Sequence, residues 1–78
     1  MPRYFFDIHD DIDVTDHEGM ELPDLKAARA EAARALADAA SDLLHNAGHE
    51  KDLVIKVRDE TDTVVLTARL SFSAEPVF

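Results

Sequence analysis

Residues 23–48, PDLKAARAEAARALADAASDLLHNAG, decide the fold, because they read as one long helix that divides the strand-forming segments of this 78-residue chain into two pairs. Pro23 suits a first helical position, and Asp24 suits the positive end of the helix dipole. The helix is predicted from about Pro23 to His45. Leu25, Ala28, Ala32, Ala35, Leu36, Ala39 and Leu43 recur at steps of three and four and form one apolar stripe. Lys26, Arg29, Arg34, Asp38 and Asp42 lie mostly away from it. Asn46-Ala47-Gly48 marks the stop, since Asn46 or Gly48 can take the left-handed cap conformation. Alanines at 27, 30, 33, 37 and 40 widen the small-residue surface, which serves either helix propensity alone or a close approach to a sheet or second helix.

Working outward, Arg3-Tyr4-Phe5-Phe6-Asp7-Ile8-His9 reads as the first strand, with Tyr4, Phe6 and Ile8 on one face and Arg3, Phe5, Asp7 and His9 on the other. Asp10 and Asp11 make a turn. Ile12 and Val14 alternate with Asp13 and Thr15 as a short return strand. A second turn follows at Glu18-Gly19, where glycine can take a positive φ, and Met20 and Leu22 lead into the helix. Beyond the helix, Leu53, Ile55 and Val57 alternate with Val54, Lys56 and Arg58, and Asp59-Glu60-Thr61-Asp62 is a polar turn. Val64, Leu66, Ala68, Leu70 and Phe72 then share one face of the longest strand, with Val65, Thr67, Arg69, Ser71 and Ser73 on the other. Pro76 breaks the ladder, so residues 72–78 are expected to form a loose tail. Its apolar end, Pro76-Val77-Phe78, is also the kind of terminus that chain-end pockets hold.

The expected fold class is therefore α+β, a single domain over residues 1–78 with element order β-β-α-β-β. Hairpin directions and a right-handed crossover give a four-stranded antiparallel sheet in the order 2-1-3-4, with the helix on one face. The other face is expected to show Phe5, Val54 and Val65 among Arg3, Lys56, Arg58, Thr67 and Arg69. A second copy is expected to cover that face or to extend the sheet, making a homodimer. A chain of this size buries only roughly 60% of its unfolded surface, so association adds usefully to stability.

Charge is distributed unevenly. From Tyr4 to Leu25 there are eight carboxylates, Asp7, Asp10, Asp11, Asp13, Asp16, Glu18, Glu21 and Asp24, and no Lys or Arg. The chain carries 17 acids and 8 bases for a net −9, so nine acids and eight bases remain elsewhere. Such acidity opposes phosphate backbones, and no nucleic-acid binding is expected. With no cysteine, thiol nucleophiles, disulfides and thiolate metal sites are absent. Residues 1–20 hold no signal-peptide-like apolar run, and no stretch is apolar enough for a membrane span, so a cytoplasmic location without membrane association is expected.

Met1-Pro2-Arg3-Tyr4-Phe5-Phe6-Asp7, Glu18-Gly19-Met20-Glu21-Leu22-Pro23-Asp24, Ala28-Arg29-Ala30-Glu31-Ala32 and Val57-Arg58-Asp59-Glu60 carry a resemblance across almost the whole chain. It is similar to a family of small uncharacterised alphaproteobacterial proteins, a domain of unknown function. The acidic, glycine-poor segment from Asp10 to His17 departs from that pattern, where a looser turn is expected. More distantly, the chain resembles the N-terminal domain of HicB-type antitoxins in its small antiparallel sheet backed by one helix. The added DNA-binding segment usual in those proteins is not implied here.

Chemical constellations are sparse. Ser41, Ser71 and Ser73 have no neighbouring base or elbow motif. Gly19 and Gly48 form no phosphate loop. Asp11-x-Asp13-x-Thr15 begins like a calcium loop, but Asp16 stands where glycine is needed and Leu22 where the bidentate glutamate belongs. His9, Asp11, Asp13 and His17 are the candidate metal ligands, and His45 with His49 have helical spacing across a broken helix. The acidic block reads either as a solvated hairpin or as a docking surface built from Asp10, Asp11, Asp13, Asp16 and Glu18, with Phe5 as apolar contact. The expected function is a non-enzymatic interaction or regulatory module that binds a basic protein partner and needs no cofactor. The alternative is a metal-ion or small-molecule binding protein.

Overall fold

The computed structural model describes residues 1–10, 13–46 and 50–73, without the side chains of 42–46 and 50. Its elements are β1 (Arg3–His9), β2 (Asp13–Val14), β3 (Met20–Glu21), α1 (Leu25–Asn46), β4 (Glu50–Arg58) and β5 (Val64–Ser73). The class is α+β, with one helix against an antiparallel sheet of five strands.

The sheet runs β2-β1-β4-β5, and β3 joins the same edge of β1 as β2. The expected count of four strands is thus corrected to five, and Met20, expected to lead into the helix, lies in a strand. The reason is in the register. Ile8 pairs with Val14 and Tyr4 with Met20, so four steps along β1 face six along the returning chain. Two residues too many cannot stay in the ladder, and the return strand splits. A second irregularity falls where Val57 pairs with Leu66 but Arg58 with Val64. The extra residue, Val65, packs against the core and not on the helix-free face where strict alternation would place it.

The core lies between α1 and the sheet. Tyr4, Ala28, Ala32, Ile55 and Val57 form its buried centre, flanked by Phe6, Ile8, Leu22, Ala35, Leu36, Leu66 and Ala68. Ala28 and Ala32 are wholly buried, so the helix backbone comes close to the strands, and α1 packs across β4 and β5. Of the expected stripe, Leu25 departs, being 44% exposed at the helix end. The helix begins at Leu25, two residues later than the predicted start at Pro23. Asp24 is its N-cap, with the Ala27 amide donating to Oδ1 at 2.9 Å and the Ala28 amide to the Asp24 carbonyl at 3.2 Å. On the solvent side Arg34 bonds Glu31 and Asp38 at helical spacing. The expected stop at Ala47-Gly48 and the tail from residue 74 lie outside the described residues, while β5 itself includes Phe72 and Ser73. No helix among the described residues is long and apolar enough to cross a membrane.

The close helix contact leads to a simple contrast. Ala32→Leu should cost about 1–3 kcal/mol by overpacking, whereas Ala33→Leu, one residue on and exposed, should leave denaturant midpoints nearly unchanged.

Candidate functional site

The helix-free side of the sheet is organised by one arginine. Arg58, at the end of β4, stands opposite Phe5, and its guanidinium lies 5.0 Å from the Phe5 ring centroid. Its Nε donates to Asp7 Oδ2 at 2.6 Å and its Nη2 to Asp7 Oδ1 at 3.1 Å, a bidentate pair between β4 and β1. Nη2 also donates to the Asp16 carbonyl at 2.9 Å, and Nη1 to Asp62 Oδ1 at 2.5 Å. One side chain thus ties two strands to the loop between β2 and β3 and to the β4–β5 turn.

Asp16 occupies the gap left where the return strand leaves the ladder. Its Oδ2 accepts the Phe6 amide at 3.0 Å, a donor that a continuous strand would have satisfied. Its Oδ1 accepts the amides of Glu18 and Gly19, each at 3.1 Å, and its own amide donates to Asp7 Oδ1 at 3.0 Å. The loop then passes so close to β1 that only glycine fits. Gly19 has φ +71°, and a Cβ there would stand 2.9 Å from Arg3 Cγ, Phe5 Cε1 and the Tyr4 carbonyl oxygen. Arg3 holds the far side, with Nη1 donating to the Glu18 carbonyl at 2.8 Å and Nη2 to Glu21 Oε1 at 3.2 Å.

The β4–β5 turn is built on Asp59, whose Oδ1 accepts from the Thr61 amide at 2.9 Å, the Thr61 hydroxyl at 2.6 Å and the Thr63 amide at 3.2 Å. Asp62 takes a φ of +67°, a conformation Asp tolerates better than most residues. The Thr61 hydroxyl bond, with burial opposing it, holds the Asp59 carboxyl below its ordinary range.

The same geometry sets the ionisation of the cluster. The Arg58 side chain, with burial working against it, holds Asp7 below the usual carboxylate range. For Asp16, burial pushes upward, but the amides of Phe6, Gly19 and Glu18 together outweigh it and the carboxyl is lowered. Asp7 and Asp62 in turn raise Arg58.

The expected docking residues therefore divide. Asp16 turns inward as a structural acceptor, and Phe5 is half-buried under Arg58, so neither stands on the surface as an open contact. Asp10 pairs with Lys51 at 2.8 Å, and Asp13 with His9 at 3.2 Å. Glu18 keeps its side chain exposed, as do His17 and Glu21. Asp11 lies outside the described residues, as do the His45 side chain and His49. Of the candidate metal ligands, the structure brings His9 and Asp13 together. Among the described residues, no group of three or more His, Cys, Asp or Glu could hold a metal ion.

Sequence reading placed Arg58 and Asp7 on the right face but did not pair them. The available signal was an acid between Phe6 and Ile8, an unusual insertion in an aromatic strand that calls for a cation. A shallow hollow of about 300 Å³ lies at the helix N-terminal end, lined by Pro2, Tyr4, Leu25, Val65 and the β4–β5 turn. Its polar groups serve the fold, since Asp59 closes the turn and Glu60 Oε1 accepts the Arg3 amide at 2.8 Å.

Fold and site define a small α+β domain whose split edge is closed by an arginine–aspartate cluster and fringed with exposed acids. The chain belongs to the family described as Domain of unknown function (DUF6894), whose model matches residues 3–71. That span contains Arg3, Asp7, Asp16, Gly19, Arg58 and Asp62, the residues of the cluster. No curated protein and no solved structure matches the chain. Neither the likeness to HicB-type antitoxins nor an alphaproteobacterial origin is part of what the family match shows.

Two measurements test the cluster. Asp16→Asn replaces one acceptor by an NH₂ that must face an amide donor, and should cost about 1–3 kcal/mol in urea unfolding. Asp7 and Asp16 ordinarily titrate near 3.8 and are lowered in the fold. Their stabilisation is therefore fully present above about pH 5 and is lost as pH falls through 3.8 toward the lowered values. Melting temperatures followed from neutral to acid pH should drop in that window, and Asp7→Asn should flatten the drop.

Proposed function

We propose that this protein is a non-enzymatic interaction module of the cytoplasm, which presents Asp13, Glu18 and Glu21, with Asp10 beside them, to a basic protein partner. The observation that carries this reading is the anchoring of the loop between β2 and β3 by Asp16 and Arg58. A free acidic hairpin would lose conformational entropy on binding, whereas this one is already held against β1 by side-chain and backbone bonds. Its acids lie along the sheet edge remote from β5, and the pairs they make, Glu21 with Arg3 and Asp13 with His9, are solvent-exposed and readily exchanged. Such a surface speeds and selects encounter with positive charge, leaving affinity to neighbouring apolar contacts.

A second reading, a metal-ion or small-molecule binding protein, draws on the approach of His9 Nδ1 to Asp13 Oδ1 at 3.2 Å. It separates from the first by its response to conditions, because a coordinated metal survives salt and is removed by chelator.

The test is capture of binding proteins from the host lysate by wild type and by a variant carrying Asp13→Asn, Glu18→Gln and Glu21→Gln, which leaves Asp16 and Asp7 intact. A basic protein held by wild type at low salt, released at moderate salt and lost by the variant is the expected result. Equal capture by both proteins, or capture abolished by chelator and indifferent to salt, would overturn the docking reading.

A further inference from the structure

The two edges of the sheet are treated differently by the sequence. On the β1 side the return strand is broken into two-residue pieces, a loop is folded inward, and acids fringe the edge, all devices that discourage a further strand from adding. On the other side β5 is ten residues long, pairs regularly with β4 from Leu66 to Ser73, and carries no proline or lysine. Its outer edge has no strand partner among the described residues. Leu66, Ala68, Leu70 and Phe72, the helix-side row of β5, are all half-buried and none is fully covered.

We propose that the β5 edge is the dimer interface of this protein, pairing antiparallel with β5 of a second copy about a two-fold axis perpendicular to the sheet. Both helices then lie on the same side, and the half-buried apolar rows become one continuous core layer. Three registers near the strand centre keep the faces matched. Centring on Arg69 would oppose it to its own copy, a like-charge cross-strand pair. Centring on Ala68 runs the ladder toward the irregularity at Val64 and Val65. Centring on Leu70 avoids both, pairs Thr67 with Ser73 and Ala68 with Phe72, and sets Arg69 opposite Ser71 of the second copy.

That register also matches charge. Ser71 lies beside Asp52 of β4 on the helix-free face, so Arg69 of one copy reaches across a small serine toward Asp52 of the other, twice by symmetry. Both are exposed in the single chain. The arrangement further suits a chain of net charge −9, because the acidic edges end up at the two outer ends of an extended sheet. Seven strand spacings separate them, about 34 Å, well beyond the screening length at physiological salt. The inference stands independently of the docking reading, since it uses the opposite edge.

The test is a charge-swap cycle read by sedimentation equilibrium, with circular dichroism confirming the fold of each variant. Ser71→Lys adds a cation opposite Arg69 of the second copy while standing beside Asp52 in its own chain, so it should leave the fold intact and weaken dimerisation about tenfold or more. Arg69→Glu should weaken it too, and the double variant should restore much of the loss. Amide exchange of β5 in wild type should slow as protein concentration rises, which requires no variant. A wild type that sediments as a monomer throughout, a dimer indifferent to both substitutions, additive losses in the double variant, or β5 exchange independent of concentration would overturn the proposal.

Discussion

The bidentate contact between Arg58 and Asp7 is the constraint on which the helix-free half of the molecule depends. An acid on β1 and a cation at the end of β4 are drawn together across the strand pairing, and each then has bonding capacity to spare. Arg58 uses it on the Asp16 carbonyl and Asp62, and Asp7 on the Asp16 amide. Half-buried ion pairs do not guarantee net stability, because desolvation offsets much of the attraction. Their consequence here is positional. The loop between β2 and β3 has one place to sit, and that place determines which acids point inward and which face solvent.

The other half of the molecule obeys a different constraint, the close approach of α1 to β4 and β5. Ala28 and Ala32 are completely buried, and small side chains at these positions let the sheet-side residues Ile55 and Val57 fill the interface. The helix therefore gains its stability from packing a narrow face more than from a broad apolar one, which is why Leu25 can remain substantially exposed. The two halves meet at Tyr4, which belongs to the buried core while its neighbours Arg3 and Phe5 hold the loop around Gly19.

Much of this was legible from residue order. Alternation in Leu53–Val57 and Val64–Phe72, the alanine run and the Asp59–Asp62 turn each follow a local rule, and the strands and helix appear where those rules put them. The site was legible only in part. A cluster of carboxylates in sequence looks like a uniform surface, yet the Asp7 carboxylate binds a cation more than fifty residues away and that of Asp16 caps backbone amides, while Glu18 stays outside. Sequence proximity carries charge but no direction, and direction decides whether an aspartate docks a partner or closes a loop. The Val65 placement was lost for a similar reason, because one extra residue in a ladder changes a face without changing the pattern.

The sequence by itself determined the α+β class, the single helix, the apolar face of β4 and of β5 from Leu66 onward, and the concentration of negative charge before the helix, because each depends on period or composition within a short window. Only the tertiary structure decided that the return strand splits in two, that the Asp16 carboxylate replaces a missing backbone acceptor, that Arg58 selects Asp7 and Asp62 from the acids available, and that one sheet edge is closed while the outer edge of β5 has no strand partner among the described residues. Those outcomes depend on registers between strands distant in the chain, and a register is fixed by packing and hydrogen-bond satisfaction across the whole sheet, not by any segment read alone.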